Sequence, residues 1–153
     1  MPVTGPFENR RFRIICDGAV IPGISTVSSL QWTADFVTYR EGGETDIGID
    51  IPGKIKYQPL TLEREVTFDP FFENWARLVV NHGSQHSSIF KNLKIDILDP
   101  ANQLVVSYDV YRSWPVTYEA FPALDAEGHL MMKERLILIY HGFERDLSVI
   151  SPA

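Results

Sequence analysis

The 153-residue sequence predicts a mostly β fold: two packed antiparallel sheets forming a sandwich or barrel, with one flanking α-helix. Three observations carry this. Short runs along the chain alternate apolar and polar residues at the period of a strand. A single run has helical spacing. No helix–strand rhythm of the kind a parallel sheet requires is present. The length suits one domain with one core, so residues 1–153 are read as a single unit.

In chain order, Leu30, Trp32, Ala34 and Phe36 share one face while Gln31, Thr33 and Asp35 share the other, the pattern of a half-buried strand. Leu60, Leu62, Val66 and Phe68 repeat the pattern, with Thr61, Glu63, Glu65 and Thr67 turned outward. The helix spans about 70–81. Asp69 is placed to cap it, Pro70 suits its first position, and Phe71, Trp75, Leu78 and Val79 fall on one face. Leu93, Ile95 and Ile97 lead into Asp99-Pro100-Ala101-Asn102, a turn whose Asn accepts a left-handed backbone, and Leu104, Val106, Tyr108 and Val110 return as the second arm of a hairpin. Trp114-Pro115 signals a strand edge or a bend, since Pro has no N–H to give a ladder. The last strand, Met132 to Tyr140, carries apolar residues on both faces and is expected to be covered on both.

Between the first two strands of this scheme lies a long extended arm at about 39–57. Ile47, Ile49 and Ile51 recur there at period two among Gly, Asp, Glu and Thr. Gly42-Gly43 opens the segment and Pro52-Gly53 closes it. Three isoleucines on one face of an exposed arm make a contact patch, each contributing about 1.5–3 kcal/mol when covered. The expected cover is another copy of the same chain.

Composition narrows the remaining functions. Hydrophobic residues at 44% and charged residues at 22% exclude a disordered chain. The opening residues have no apolar run of signal-peptide length, and nowhere do eighteen apolar residues follow one another, so cytoplasmic synthesis without membrane insertion is expected. Cys16 is the sole cysteine, which excludes an internal disulfide and points to a small buried hydrophobe in the first strand. The net charge of −6 argues against a surface that grips nucleic acid, whereas the same sign facing a channel lets a polyanion pass. His82 and His86 are four apart, but Gly83 and Ser84 between them favour a loop over a metal site. Ser88-Ile89-Phe90-Lys91 matches one serine-nucleophile pattern without its companion elements. Asp96, Asp99 and Asp109 flank the hairpin and read as a solvated face. No catalytic, cofactor-binding or metal-binding residue is assigned, and no enzyme activity is expected.

The arm and its flanks also carry a resemblance. Tyr39-Arg40-Glu41-Gly42-Gly43, then Pro52-Gly53 with Lys56-Tyr57, then Leu60, Leu62 and Arg64 resemble the tail-tube family of contractile phage tails and phage-tail-like injection systems. Val27-Ser28-Ser29-Leu30, Ser113-Trp114-Pro115 and the closing stretch Gly128 to Gly142 match further family motifs in the same order, so the similarity runs from about Phe12 to Arg145. Ser29 stands where the family usually has Gly, and His129 where it often has Asn. The resemblance implies a structural subunit of the inner tube, assembling into stacked hexameric rings. Its partners would be its own copies, a sheath protein, baseplate and tube-initiator or terminator proteins, and a cargo or tape-measure protein in the lumen. Inter-subunit contacts are expected at Tyr39, Arg40, Glu41, Gly42, Gly43, Ile47, Ile49, Ile51, Pro52, Gly53, Trp114 and Pro115. The particle would be assembled in the cytoplasm and end as a phage tail or an extracellular injection device. The alternatives are a paralogue that starts the tube at the baseplate and, from another class, a small-ligand-binding β-barrel.

Overall fold

The computed structural model describes residues 11–39, 48–83, 87–128 and 132–150. Ten strands and one α-helix occur among them: β1 (Arg11–Cys16), β2 (Ala19–Val20), β3 (Ile24–Val27), β4 (Trp32–Tyr39), β5 (Ile49–Tyr57), β6 (Leu60–Glu65), α1 (Phe71–His82), β7 (Lys91–Leu98), β8 (Leu104–Glu119), β9 (Lys133–Ile139) and β10 (Gly142–Arg145). Seven strands follow one hydrogen-bonded path, β2-β1-β7-β8-β9-β6-β3, and β10, added on β8, is the eighth. All pairings are antiparallel.

The path folds into two layers at β8. Residues up to Ser113 pair with β7, and Tyr108–Tyr111 also pair with β10, whereas Trp114–Glu119 pair with β9. Arg112 at the corner has φ +51°, and the register shifts between Pro115 and Thr117. A strand that changes sheets needs such a bend. The Arg112 N–H is satisfied by Asn92 Oδ1 at 2.9 Å, and its guanidinium lies 4.4 Å from the Phe90 ring centre. The sheets do not close into a barrel; the fold is a sandwich.

The core lies between the layers. Ile14, Cys16, Leu93, Ile95 and Val110 come from one sheet, and Leu60, Leu62, Leu136 and Leu138 from the other. Helix α1 covers one flank with Phe72, Trp75 and Ala76, and the Trp75 indole N–H donates to the Ile89 carbonyl at 2.7 Å. Cys16 is buried as expected, and burial pushes its thiol up to about 11. The β7–β8 hairpin turns where the sequence places it, with Asn102 at φ +64°.

Several expectations are corrected. The helix begins at Phe71 with Pro70, whose side chain has no hydrogen-bonding group, at the cap position, and Asp69 is ion-paired with Arg64 instead of capping. Phe72 is fully buried while Phe71 is half-buried. Val66 and Phe68 lie beyond the end of β6 and are exposed. Asp96 is not solvated: it is 1% exposed, accepting from Arg13 Nε at 3.0 Å and Ser107 Oγ at 2.7 Å. The second face of β9 is half covered, with Ile137 and Ile139 partly exposed. β4 is the largest departure: both of its faces are open, with Trp32 at 55% and Phe36 at 68% exposure. Ser29, in place of glycine, does not adopt a positive φ; its neighbour Ser28 is held to Thr61 through backbone and side chain.

Candidate functional site

The arm is a two-stranded ribbon. Among the described residues β4 and β5 pair only with each other, from Trp32↔Tyr57 at the base to Tyr39↔Ile49 at the far end. It therefore starts about seven residues earlier than the arm read from the sequence, because Trp32–Tyr39 supplies its first strand. At the base, the Gln31 carbonyl accepts from the Gln58 N–H at 3.0 Å and from the Tyr140 hydroxyl at 3.4 Å. The Tyr57 ring stands 5.6 Å from Tyr140 and 6.0 Å from Phe143, centre to centre. This aromatic cluster fastens the ribbon to the body, and burial raises the Tyr140 hydroxyl pKa.

Pro52-Gly53 does not end the segment. Pro52 sits opposite Phe36 within β5, beside a bulge between Ala34 and Phe36. The proline takes a place in a strand whose outer edge has no partner among the described residues, where its missing N–H leaves no ladder gap. Gly53 permits the bulge: a Cβ there would lie 3.2 Å from the Asp35 carbonyl oxygen.

The two faces of the ribbon differ. Residues directly opposite in an antiparallel pair share a face. One face carries Trp32, Phe36, Ile55 and Pro52, ending in Thr38 and Asp50, whose side chains are hydrogen-bonded at 2.8 Å. The other begins with Thr33, Asp35 and Lys56, the latter two ion-paired at 3.3 Å, and ends in Val37, Tyr39, Ile49 and Ile51. The seven large apolar side chains are 42–68% exposed. Together they present roughly 700 Å², taking an aromatic side chain at about 150–250 Å². Summed over both faces, that is near the roughly 800 Å² which each partner of a standard interface buries.

Of the contact residues expected from the sequence, Tyr39, Ile49, Ile51, Pro52 and Gly53 fall together on this ribbon. Arg40, Glu41, Gly42, Gly43 and Ile47 lie outside the described residues. Trp114 and Pro115 are elsewhere, in β8 just past the corner; Trp114 is half-buried and Pro115 buried. A groove of about 530 Å³ opens between the sheets near the ribbon base, lined by Phe12, Val27, Leu30, Ile97, Tyr108 and Phe143 among others. Among the described residues, no group of three His, Cys, Asp or Glu side chains is placed to hold a metal.

One cluster was missed in the sequence. Arg64 is fully buried, donating from Nε to Glu134 at 2.6 Å, from Nη1 to the Pro22 carbonyl and Asp69 Oδ2 at 3.2 Å each, and from Nη2 to the Asp69 carbonyl at 2.7 Å. Its guanidinium lies 4.5 Å from the Phe72 ring centre, and Tyr118 donates to the second Glu134 oxygen at 3.1 Å. Burial and that bond push the Tyr118 hydroxyl up to about 12. The alternation of Leu60, Leu62 and Arg64 was the available signal, and its charge disguised it.

The family model of the T4-like virus tail tube protein gp19 matches residues 8–144. No curated protein matches the sequence. Among solved structures, a chain of the anti-feeding prophage cap, described as the tube-terminating cap, superposes with TM-score 0.79 at 20% identity, covering 95% of this chain and 94% of that one. A chain of the sheath–tube complex of an extracellular contractile injection system in its extended state gives 0.77 at 21% identity, over 94% and 93%. Hcp1 from Flavobacterium johnsoniae gives 0.58 at 12% identity, over 88% and 93%. At these identities the likeness is one of fold.

Proposed function

Because the chain belongs to the T4-like virus tail tube protein family, we propose that it is a structural subunit of the inner tube of a contractile phage-tail-like injection system. Six copies close into a ring, rings stack, and the stack encloses a channel for cargo or a tape-measure protein. The single observation that carries this reading is the exposed ribbon. An apolar surface of roughly 700 Å² is worth roughly 17 kcal/mol of gross burial at about 25 cal/mol per Å², enough to meet association costs of about 4–15 kcal/mol. Left in water it would be an aggregation hazard, and a repeated head-to-tail contact turns it into a closed assembly.

The work is mechanical. The subunit needs no cofactor and no reactive group; rigidity and a continuous channel wall suffice. A surrounding sheath is its outer partner, in keeping with the similar chain found in a sheath–tube complex. Baseplate and terminating proteins meet the ends, in keeping with the similar chain found in a tube-terminating cap. A net charge of −6 suits passage over capture for any polyanionic cargo. Synthesis and assembly take place in the cytoplasm, and the finished particle carries the subunit outward.

Purified protein examined by sedimentation and electron microscopy over a range of concentrations tests the reading. Rings or tubes are expected. A species that stays monomeric at every concentration and salt overturns it, and one that assembles only on a baseplate partner identifies a tube-initiating paralogue instead.

A further inference from the structure

We propose that Asn92 and Phe90 are positioning residues: together they hold Arg112 in a left-handed backbone conformation, fix the bend between the two layers, and through that bend fix the seat of the β4–β5 ribbon. This holds within one folded subunit, whatever the subunit assembles into.

Among the described residues, three other than glycine have positive φ: Asp17, Asn102 and Arg112. Asp17 and Asn102 sit in hairpin turns, where short polar side chains accept that backbone. Arg112, at φ +51°, lies within a strand. Glycine would take the same conformation without a Cβ clash, so an arginine there points to a use for its side chain. The guanidinium lies 4.4 Å from the Phe90 ring centre, a contact glycine could not make. The register shifts between Lys91 and Leu93, leaving Asn92 opposite both Tyr111 and Arg112, and Asn92 Oδ1 accepts from the Arg112 N–H at 2.9 Å. This bond is exposed, so water could satisfy the same N–H; what a fixed side-chain oxygen adds is direction. Next in the chain, Ser113 Oγ donates to the Lys91 carbonyl at 2.6 Å. Phe90 is anchored in turn, since the carbonyl of Ile89 accepts from the buried Trp75 indole at 2.7 Å. The segment 89–92 thus clasps the corner from a base fixed on α1.

A second stretch of chain turns the corner beside the first. Trp114 pairs with Ile139 in one layer and Tyr111 with Gly142 in the other, so the β9–β10 connection follows β8 round the bend in register. The His141 N–H, donating to the Tyr111 carbonyl at 2.9 Å, joins the two at the bend itself. The ribbon is seated on this second stretch. Tyr57 packs on Tyr140 at 5.6 Å and on Phe143 at 6.0 Å, and its hydroxyl lies 3.7 Å from where a Cβ on Gly142 would stand. Gln31, at the foot of the ribbon, accepts from the Tyr140 hydroxyl. Opening or closing the bend moves Tyr140 against Phe143, and with them the platform on which the ribbon stands.

Amide hydrogen exchange on dilute protein tests this, with the His141 N–H reporting the bend and the Gln58 N–H, bonded to the Gln31 carbonyl at 3.0 Å, reporting the ribbon seat. In Asn92→Ala both amides are expected to exchange about tenfold faster than in the wild type, while the β6–β9 ladder keeps its rate. Asn92→Asp, which retains an oxygen acceptor, is expected to bring both back. Phe90→Leu, which removes the ring and keeps apolar bulk, is expected to repeat the Asn92→Ala pattern. Wild-type rates at both amides overturn the proposal, and so does a faster His141 with an unmoved Gln58, which would separate the ribbon from the bend. Equal acceleration of the ladder in both variants overturns it too, because the clasp would then serve general stability.

Discussion

Arg64 ties its own strand, β6, to the loop before β3, to the start of α1 and to β9. Arg64→Met leaves Glu134 buried without its cation, so a loss of about 3–5 kcal/mol is expected in chemical denaturation. Arg64→Lys is expected to recover little of it, since a point charge cannot hold two carboxylates and two carbonyls in the same fork. A second residue sets a pH dependence. Ser148, through its hydroxyl and backbone N–H, and then Lys94 hold the Asp146 carboxyl down at about 2, below its ordinary 3.8. The unfolded chain binds more protons in that window, so this stabilisation is complete above about pH 4 and is lost as pH falls toward 2. Asp146→Asn is expected to flatten that part of a plot of melting temperature against pH. The Arg64 site was not legible beforehand: Glu134 is 70 residues from Arg64, and no local pattern joins such partners.

Among the elements, α1 was read almost to its ends and β8 only in part. The helix is legible because one face must be apolar for it to pack, and Trp75 on that face is 1% exposed with its indole N–H satisfied. Trp75→Ala is expected to destabilise the monomer by about 3–5 kcal/mol, measured as a shift of the denaturation midpoint at constant slope. The cap was misread because Asp69 has two offers, a helix N-terminus and a buried guanidinium, and the stronger one lies outside the local sequence. β4 failed for a different reason. Alternation reports that a face will be covered, and says nothing of whether the cover belongs to the same chain. Trp32 and Phe36 therefore read as half-buried, though they are 55% and 68% exposed in their own subunit.

At the scale of the whole molecule, the proposed function puts folding and assembly on separate surfaces, because among the described residues the ribbon meets its own body at Gln31, Tyr57 and their neighbours. Ile49→Asp is thus expected to leave the melting temperature of the monomer unchanged while removing the sedimenting assembled form; loss of the fold would place the ribbon in the subunit's own core. The layered architecture and its single helix were readable from periodicity, whereas the open seam of the sandwich was not, since closure depends on strand stagger that no local pattern records. One feature of that architecture bears on load. β8 passes without interruption from one layer into the other, hydrogen-bonded to β7 and β10 before the corner and to β9 after it. Force entering either layer is handed to the other through covalent backbone, and pulling the layers apart means shearing ladders on both sides of the corner at once. A subunit spliced in this way behaves under an axial thrust as one stiff block, so compliance in a driven tube would reside in the joints between blocks.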